Sequence, residues 1–204
     1  MRHAFFQSTR INDITMKASV LFVLVGWLSF VHAVAQETFT TSNASISFYS
    51  EAPVSDVDAR NNKAKVSLNT SSSELLVNVV MDEFQFKNEK MGRDARRSYI
   101  EIDKYPKAGF RGKISGKINY DKPGTYEAVA KGKLNVHGVE KEVTQKGTVT
   151  VGDDKIILKS QFYVELNDFQ IETPKILGKE MTQEKVLVKI EASLSPQVDA
   201  ASKK

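Results

Sequence analysis

Of the chain's three histidines, only His137 lies beyond the first 35 residues. It sits in Val136-His137-Gly138-Val139, and no serine, acid or second histidine stands at a spacing that would build a nucleophile-base pair or a metal site around it. It reads as a turn residue. The sequence contains no cysteine, which removes thiolate ligands, disulfides and attachment of a lipid through a cysteine. Glu127, Glu165 and Asp168 fall at outward strand positions and strand ends, and nothing selects an acid-base pair from them. Phosphate-binding glycine loops and calcium-loop patterns are not found. No catalytic or metal-ligating residue is therefore assigned, and the expected protein is not an enzyme. Arg93, Arg96 and Arg97 form the one dense cationic cluster, which is either a solvated face or a cradle for an anionic head group.

The elements that would position such a site are strands. Residues 124–151 alternate strictly over two long runs and carry their own turn. With His137-Gly138 as a two-residue hairpin loop, Val136 pairs with Val139, Leu134 with Lys141, Gly132 with Val143, Ala128 with Gly147 and Tyr126 with Val149. One side of this ribbon is apolar, and it mixes large residues with Ala128, Ala130, Gly132 and Gly147. Small inward side chains in a sheet that closes on itself either fit a tight bend or leave a cavity, and the row taken together favours a cavity.

Lys17 precedes an apolar run at 18–34, and Ala33-Val34-Ala35 offers a small-x-small cleavage site. This reads as a secretory signal peptide over residues 1–35, with Met16 as the true start and the mature chain beginning near Gln36. The expected location is periplasmic or secreted. Losing Arg2, Arg10, Lys17 and Asp13 with the leader removes three positive charges and one negative, which lowers the formal charge from +4 to +2. Such a balance does not suggest a nucleic-acid binder.

Downstream, residues 39–48 read as a strand interrupted at Ser42-Asn43, 57–68 as a strand bulged at Asn61-Asn62, and 74–86 as a third strand. Residues 87–104 break the rhythm: Met91, Ala95, Tyr99 and Ile102 recur at helical spacing and suggest a short helical lid. Strands are expected again at 107–118, 155–166 and 182–194, and a disordered tail at 196–204. The fold class is all-β: an elongated antiparallel eight-stranded lipocalin-like β-barrel spanning 36–195 with a short helical lid segment. Strands of about 11 to 13 residues would make it about 35 Å tall or more. Alternation directs Phe110, Gly112, Ile114, Tyr126, Ala128, Ala130, Leu134, Phe162 and Val164 inward, and these are the expected ligand-binding residues.

Four pieces resemble the YceI-like family: Ile46-Ser47-Phe48-Tyr49-Ser50 with Ala52-Pro53, Ala59 and Asn61; residues 104–112 (KYPKAGFRG); residues 132–139 (GKLNVHGV) with Val143; and Phe162-Tyr163-Val164 with Asp168-Phe169-Gln170-Ile171 and Pro174. The resemblance implies an exported bacterial protein whose lipocalin-like barrel holds a polyisoprenoid or similar long-chain lipid. One departure stands at 91–101 (MGRDARRSYIE), where related chains usually carry histidine and asparagine. The expected partner is thus a long-chain lipid (isoprenoid, quinone-like or fatty-acyl) bound by a monomer or homodimer, with no other cofactor. Transient contact with a membrane surface is expected through Lys107, Arg111, Lys113 and Lys117 on one strand and Lys131 and Lys133 on the next. The competing expectation is an envelope interaction module with a packed barrel.

Overall fold

The computed structural model describes residues 38–50, 57–172 and 185–197, with backbone alone at 175–176 and 179–180. The expected leader, Met16 and the cleavage site near Ala35 lie outside the described residues. Strands β1 (Thr38–Ser50), β2 (Val57–Asn69), β3 (Glu74–Val80), β5 (Lys107–Ser115), β6 (Gly124–Val136), β7 (Val139–Val151), β8 (Ile156–Glu165) and β11 (Lys185–Pro196) form one antiparallel sheet, ordered β1-β11-β8-β7-β6-β5-β3-β2. Pairing of β1 with β2 closes it into an eight-stranded barrel, and the two-residue β4 (Gln85–Phe86) adds to β2. Two further short strands, β9 (Lys175–Ile176) and β10 (Lys179–Glu180), pair only with each other. Strands of 13 residues, as in β6 and β7, span about 40 Å.

The central hairpin has the expected register, from Val136 opposite Val139 through Tyr126 opposite Val149. His137 and Gly138 both take positive φ, 53° and 74°, the geometry whose twist matches that of the flanking strands. Register shifts in β1 against β2 fall between Thr41 and Ala44 and between Ala44 and Ile46, at the expected Ser42-Asn43 interruption and Asn61-Asn62 bulge.

The third strand departs from expectation. Its pairing with β2 stops at Asn78, and after Val80 the chain turns through a 3₁₀ segment at Met81–Glu83 and rejoins β2 as β4. Asn61, 1% exposed, stands in for the missing ladder: its Nδ2 donates to the Val80 carbonyl at 3.0 Å, and its Oδ1 accepts from the Lys63 N–H at 2.7 Å. The lid follows. Asn88 caps helix α1 (Glu89–Asp94) by accepting the Met91 N–H at 3.1 Å, and the chain continues as a π-turn at Ala95–Tyr99. Strand β5 ends at Ser115 rather than at residue 118, and Ile118 folds back onto the core. The last strand runs through Pro196, and the Gln197 N–H donates to the Thr38 carbonyl; the rest of the expected tail lies outside the described residues.

The two ends of the barrel differ. Leu68, Ile156 and Leu194 are fully buried near the 69–74 and 152–155 turns and plug that end. Toward the lid, Leu134, Val143, Phe162, Val164 and Val188 are only half-buried although they point inward. Half-burial of inward apolar side chains means they face unfilled space.

Candidate functional site

That space is a cavity of about 300 Å³ between the plugged end and the lid. Its walls are hydrocarbon from every side of the barrel, including Phe48, Val77, Val79, Val188 and Ile190. Its cover comes from the broken third strand and the lid: Met81, Phe84, Ala95, Tyr99 and Ile100. Phe84 and Phe86 are held by Phe48, whose ring centroid lies 5.0 Å from the first and 5.7 Å from the second in tilted and edge-on arrangements.

Seven of the expected ligand residues, Phe110, Ile114, Ala128, Ala130, Leu134, Phe162 and Val164, line this cavity. Gly112 and Tyr126 are not among its lining. Gly112 lies directly opposite Gly132. A Cβ on Gly112 would meet the Lys131 carbonyl oxygen and stand 2.6 Å from the tip of the Phe110 ring, while one on Gly132 would meet the Arg111 carbonyl oxygen. These glycines permit close approach of two strands, and the space beside Gly112 is taken by the Phe110 ring. The alanines, in contrast, do widen the cavity. Tyr126 sits nearer the plugged end, and its hydroxyl donates to the Lys122 carbonyl at 2.8 Å.

None of the three arginines is among the lining residues. Arg93 and Arg97 are exposed. Arg96 folds inward as a brace: its Nη2 donates to the Phe84 carbonyl at 2.6 Å, its guanidinium lies 5.0 Å over the Phe86 ring, and Asp82 stands 3.7 Å from Nε. Nε itself is buried without a hydrogen bond. The cluster therefore fastens the lid on one side and is solvated on the other.

His137 does more than turn the chain. Its ring lies 4.2 Å from that of Tyr105, Nδ1 is 3.2 Å from the Phe169 carbonyl oxygen, and Nε2 is 3.2 Å from Glu101 Oε2. Both partners are acceptors, so both contacts are hydrogen bonds only when both ring nitrogens carry a proton. Glu101 also accepts from Lys104. That bond, and to a lesser degree His137, holds the Glu101 carboxyl below the ordinary glutamate range, and Glu101 in turn raises Lys104. The hairpin tip, the end of the lid and the 3₁₀ turn at Leu166–Phe169 thus meet at one imidazole. Composition gave no sign of this, because a histidine in a turn looks the same in sequence whatever its ring touches.

One seam of the barrel is only half sewn. Strands β7 and β8 pair from Gly147 opposite Ser160 to Val151 opposite Ile156, and no further. At the fork the Ser160 hydroxyl donates to the Lys146 carbonyl at 2.7 Å, replacing the next ladder bond. Beyond it, residues 139–146 and 161–165 run without pairing to each other, and Gln145, Phe162 and Val164 line the cavity along the gap. Past the gap, Lys141 Nζ donates to Asp168 Oδ1 at 2.6 Å and ties the strands' far ends together.

Outside, Arg111 faces Lys133 and Lys113 faces Lys131 across β5 and β6, all exposed. Like charges placed opposite each other work against pairing. Lys133 finds Glu140 at 2.7 Å, which raises its pKa; Arg111, Lys113 and Lys131 have no ion pair among the described residues.

The same architecture occurs in solved structures. A polyisoprenoid-binding domain from Saccharophagus degradans implicated in plant cell wall breakdown superposes with a TM-score of 0.66 at 11% identity, covering 79% of this chain and 99% of that one. Burkholderia cenocepacia BcnA gives 0.61 at 15%, over 74% and 96%. The Campylobacter jejuni YCEI protein gives 0.51 at 17%, over 74% and 85%. At these identities the likeness concerns the fold. No curated protein sequence matches the chain. The YceI-like domain matches residues 38–194, from the first described strand nearly to the end of the last, and the chain belongs to the YceI-like family.

Proposed function

We propose that this protein binds and carries a long-chain lipid, an isoprenoid, quinone-like or fatty-acyl chain, and does not transform it. The hydrocarbon cavity beneath a braced lid is the observation that carries this reading. A packed interaction module would have no use for such a space. That a relative of this fold is a polyisoprenoid-binding domain agrees with it.

Size limits the occupant. A cavity of about 150 Å³ accommodates benzene, so about 300 Å³ holds roughly a dozen carbons, two to three isoprene units. Burying a dozen methylene-sized groups yields about 10 kcal/mol gross, set against an association cost that starts at about 4 kcal/mol. A longer lipid would leave its remainder outside or deepen the cavity. The signal-like leader supports an exported carrier, and the exposed cations on β5 and β6 suit brief contact with anionic bilayers during loading. Native mass spectrometry on protein purified from its own host tests the reading: a co-purifying lipid is expected. A barrel that is always empty and also refuses added C15 lipids would overturn it.

A further inference from the structure

We propose that the half-sewn seam between β7 and β8 seats the polar end of the lipid, and that it selects an uncharged, hydrogen-bonding head group through Gln145. The inference rests on the lipid reading above. On the inward face of β7, Gln145 stands in phase with Val143 and Gly147 and opposite Ala130, so it borders the hydrocarbon cavity at the edge of the gap. It is half-buried, and its side chain has no hydrogen-bond partner among the described residues. A ligand that covers this partly exposed amide must replace the water it loses with a hydrogen bond, or binding is penalised.

The backbone beside it is open in the same way, although one nearby hydroxyl is not. The Ser160 hydroxyl is spent on the Lys146 carbonyl. The alternate residues of β7, Glu140, Glu142 and Thr144, direct their peptide groups away from β6 and into the gap, where β8 does not meet them. The seam thus presents a carboxamide together with peptide donors and acceptors, a surface suited to a hydroxyl or carbonyl.

Charge argues against an anionic head. Lys141 is occupied by Asp168; Lys146 and Lys159 border the cavity, but both belong to the outward phase and are exposed to solvent, the latter bound to Glu191 at 3.0 Å. Glu142, Glu165 and Glu172 flank the gap and have no ion pair among the described residues. A phosphate would give up its hydration for a neutral amide beside carboxylates. An ammonium would lose hydration as well and find its acids out in solvent.

Competition against the neutral fluorophore N-phenyl-1-naphthylamine tests this with farnesol, farnesyl monophosphate and farnesylamine, which share one C15 chain. Farnesol is expected to compete at about tenfold lower concentration than either charged analogue, and Gln145→Leu to weaken farnesol about tenfold while fluorophore affinity stays within about twofold. The unchanged fluorophore affinity shows that the variant is folded. If the three lipids compete equally, if a charged analogue competes best, or if Gln145→Leu leaves farnesol unchanged, the seam assignment fails and the lipid reading stands. If the fluorophore binds and no lipid displaces it, the lipid reading fails and takes the seam assignment with it.

Discussion

The guanidinium of Arg96 donates to the backbone carbonyl of Phe84 at 2.6 Å, so a lid side chain closes a hydrogen bond that the broken third strand leaves open. Its side chain is 20% exposed, and the Phe86 ring beneath it excludes water from one face. Arg96→Met keeps much of the packing and removes the donor. It is expected to cost about 1–3 kcal/mol in chemical denaturation and to weaken neutral and anionic lipids alike. Selective loss of anionic lipid would return Arg96 to the head-group role that its composition suggested.

Gly112 and Ala130, adjacent in the barrel wall, should respond differently to enlargement. Gly112→Leu drives a Cβ into the Lys131 carbonyl and the Phe110 ring, and it is expected to cost about 3 kcal/mol or more with little left to measure in binding. Ala130→Phe grows into open cavity and should abolish C15 binding while the melting temperature moves by only a few degrees. Paired thermal melts and lipid titrations separate the two; similar behaviour would show that the glycine is as spacious as the alanine.

These two positions show where the sequence was readable. Alternation placed Ile114, Ala128, Ala130, Leu134, Phe162 and Val164 on the cavity wall, because a strand's period of two leaves no choice of face once one face is buried. It could not tell a glycine that opens space from one that lets two backbones touch, since that depends on the strand opposite. The same limit hid the β7–β8 gap: pairing is a relation between strands, and β7 and β8 each alternate normally to their ends. The lid's spacing placed Ala95 and Tyr99 correctly over the cavity but gave no account of Arg96, whose partner is a backbone carbonyl. Phe48, Val188 and Ile190 also form the wall, and the alternation rule that finds Phe162 applies equally to them.

Acid should loosen the lid at its Glu101 end. Lys104 and His137 lower the folded-state carboxyl pKa, so Glu101 contributes stability above the ordinary glutamate range, and that contribution is lost as pH falls through the folded value. The protection of amides at 95–105, corrected for the slowing of intrinsic exchange in acid, is expected to fall between about pH 5 and pH 3. Glu101→Gln should exchange quickly at neutral pH and show a flatter profile; an identical profile in both proteins would remove Glu101 from the lid's acid response.

Anionic vesicles should bind the face where Arg111 opposes Lys133 and Lys113 opposes Lys131. Lys113→Glu combined with Lys131→Glu is expected to slow lipid transfer to phosphatidylglycerol vesicles several-fold at low salt, with ligand affinity in solution unchanged. Raising ionic strength should erase the difference. Equal transfer by both proteins to charged and neutral vesicles would leave these cations as ordinary surface.

The plugged end gives the barrel a fixed depth. Leu68, Ile156 and Leu194 fill it, and Ile114, Val149 and Leu158 form the last layer that still touches the cavity. For the proposed lipid that layer is a floor, so the number of carbons accepted would be decided by the height of one ring of side chains. Trimming a single floor residue lowers the floor by about one side chain and leaves every strand pair in place. Ligand length in this architecture is therefore adjustable one layer at a time, like the stop on a plunger, independently of whatever holds the head.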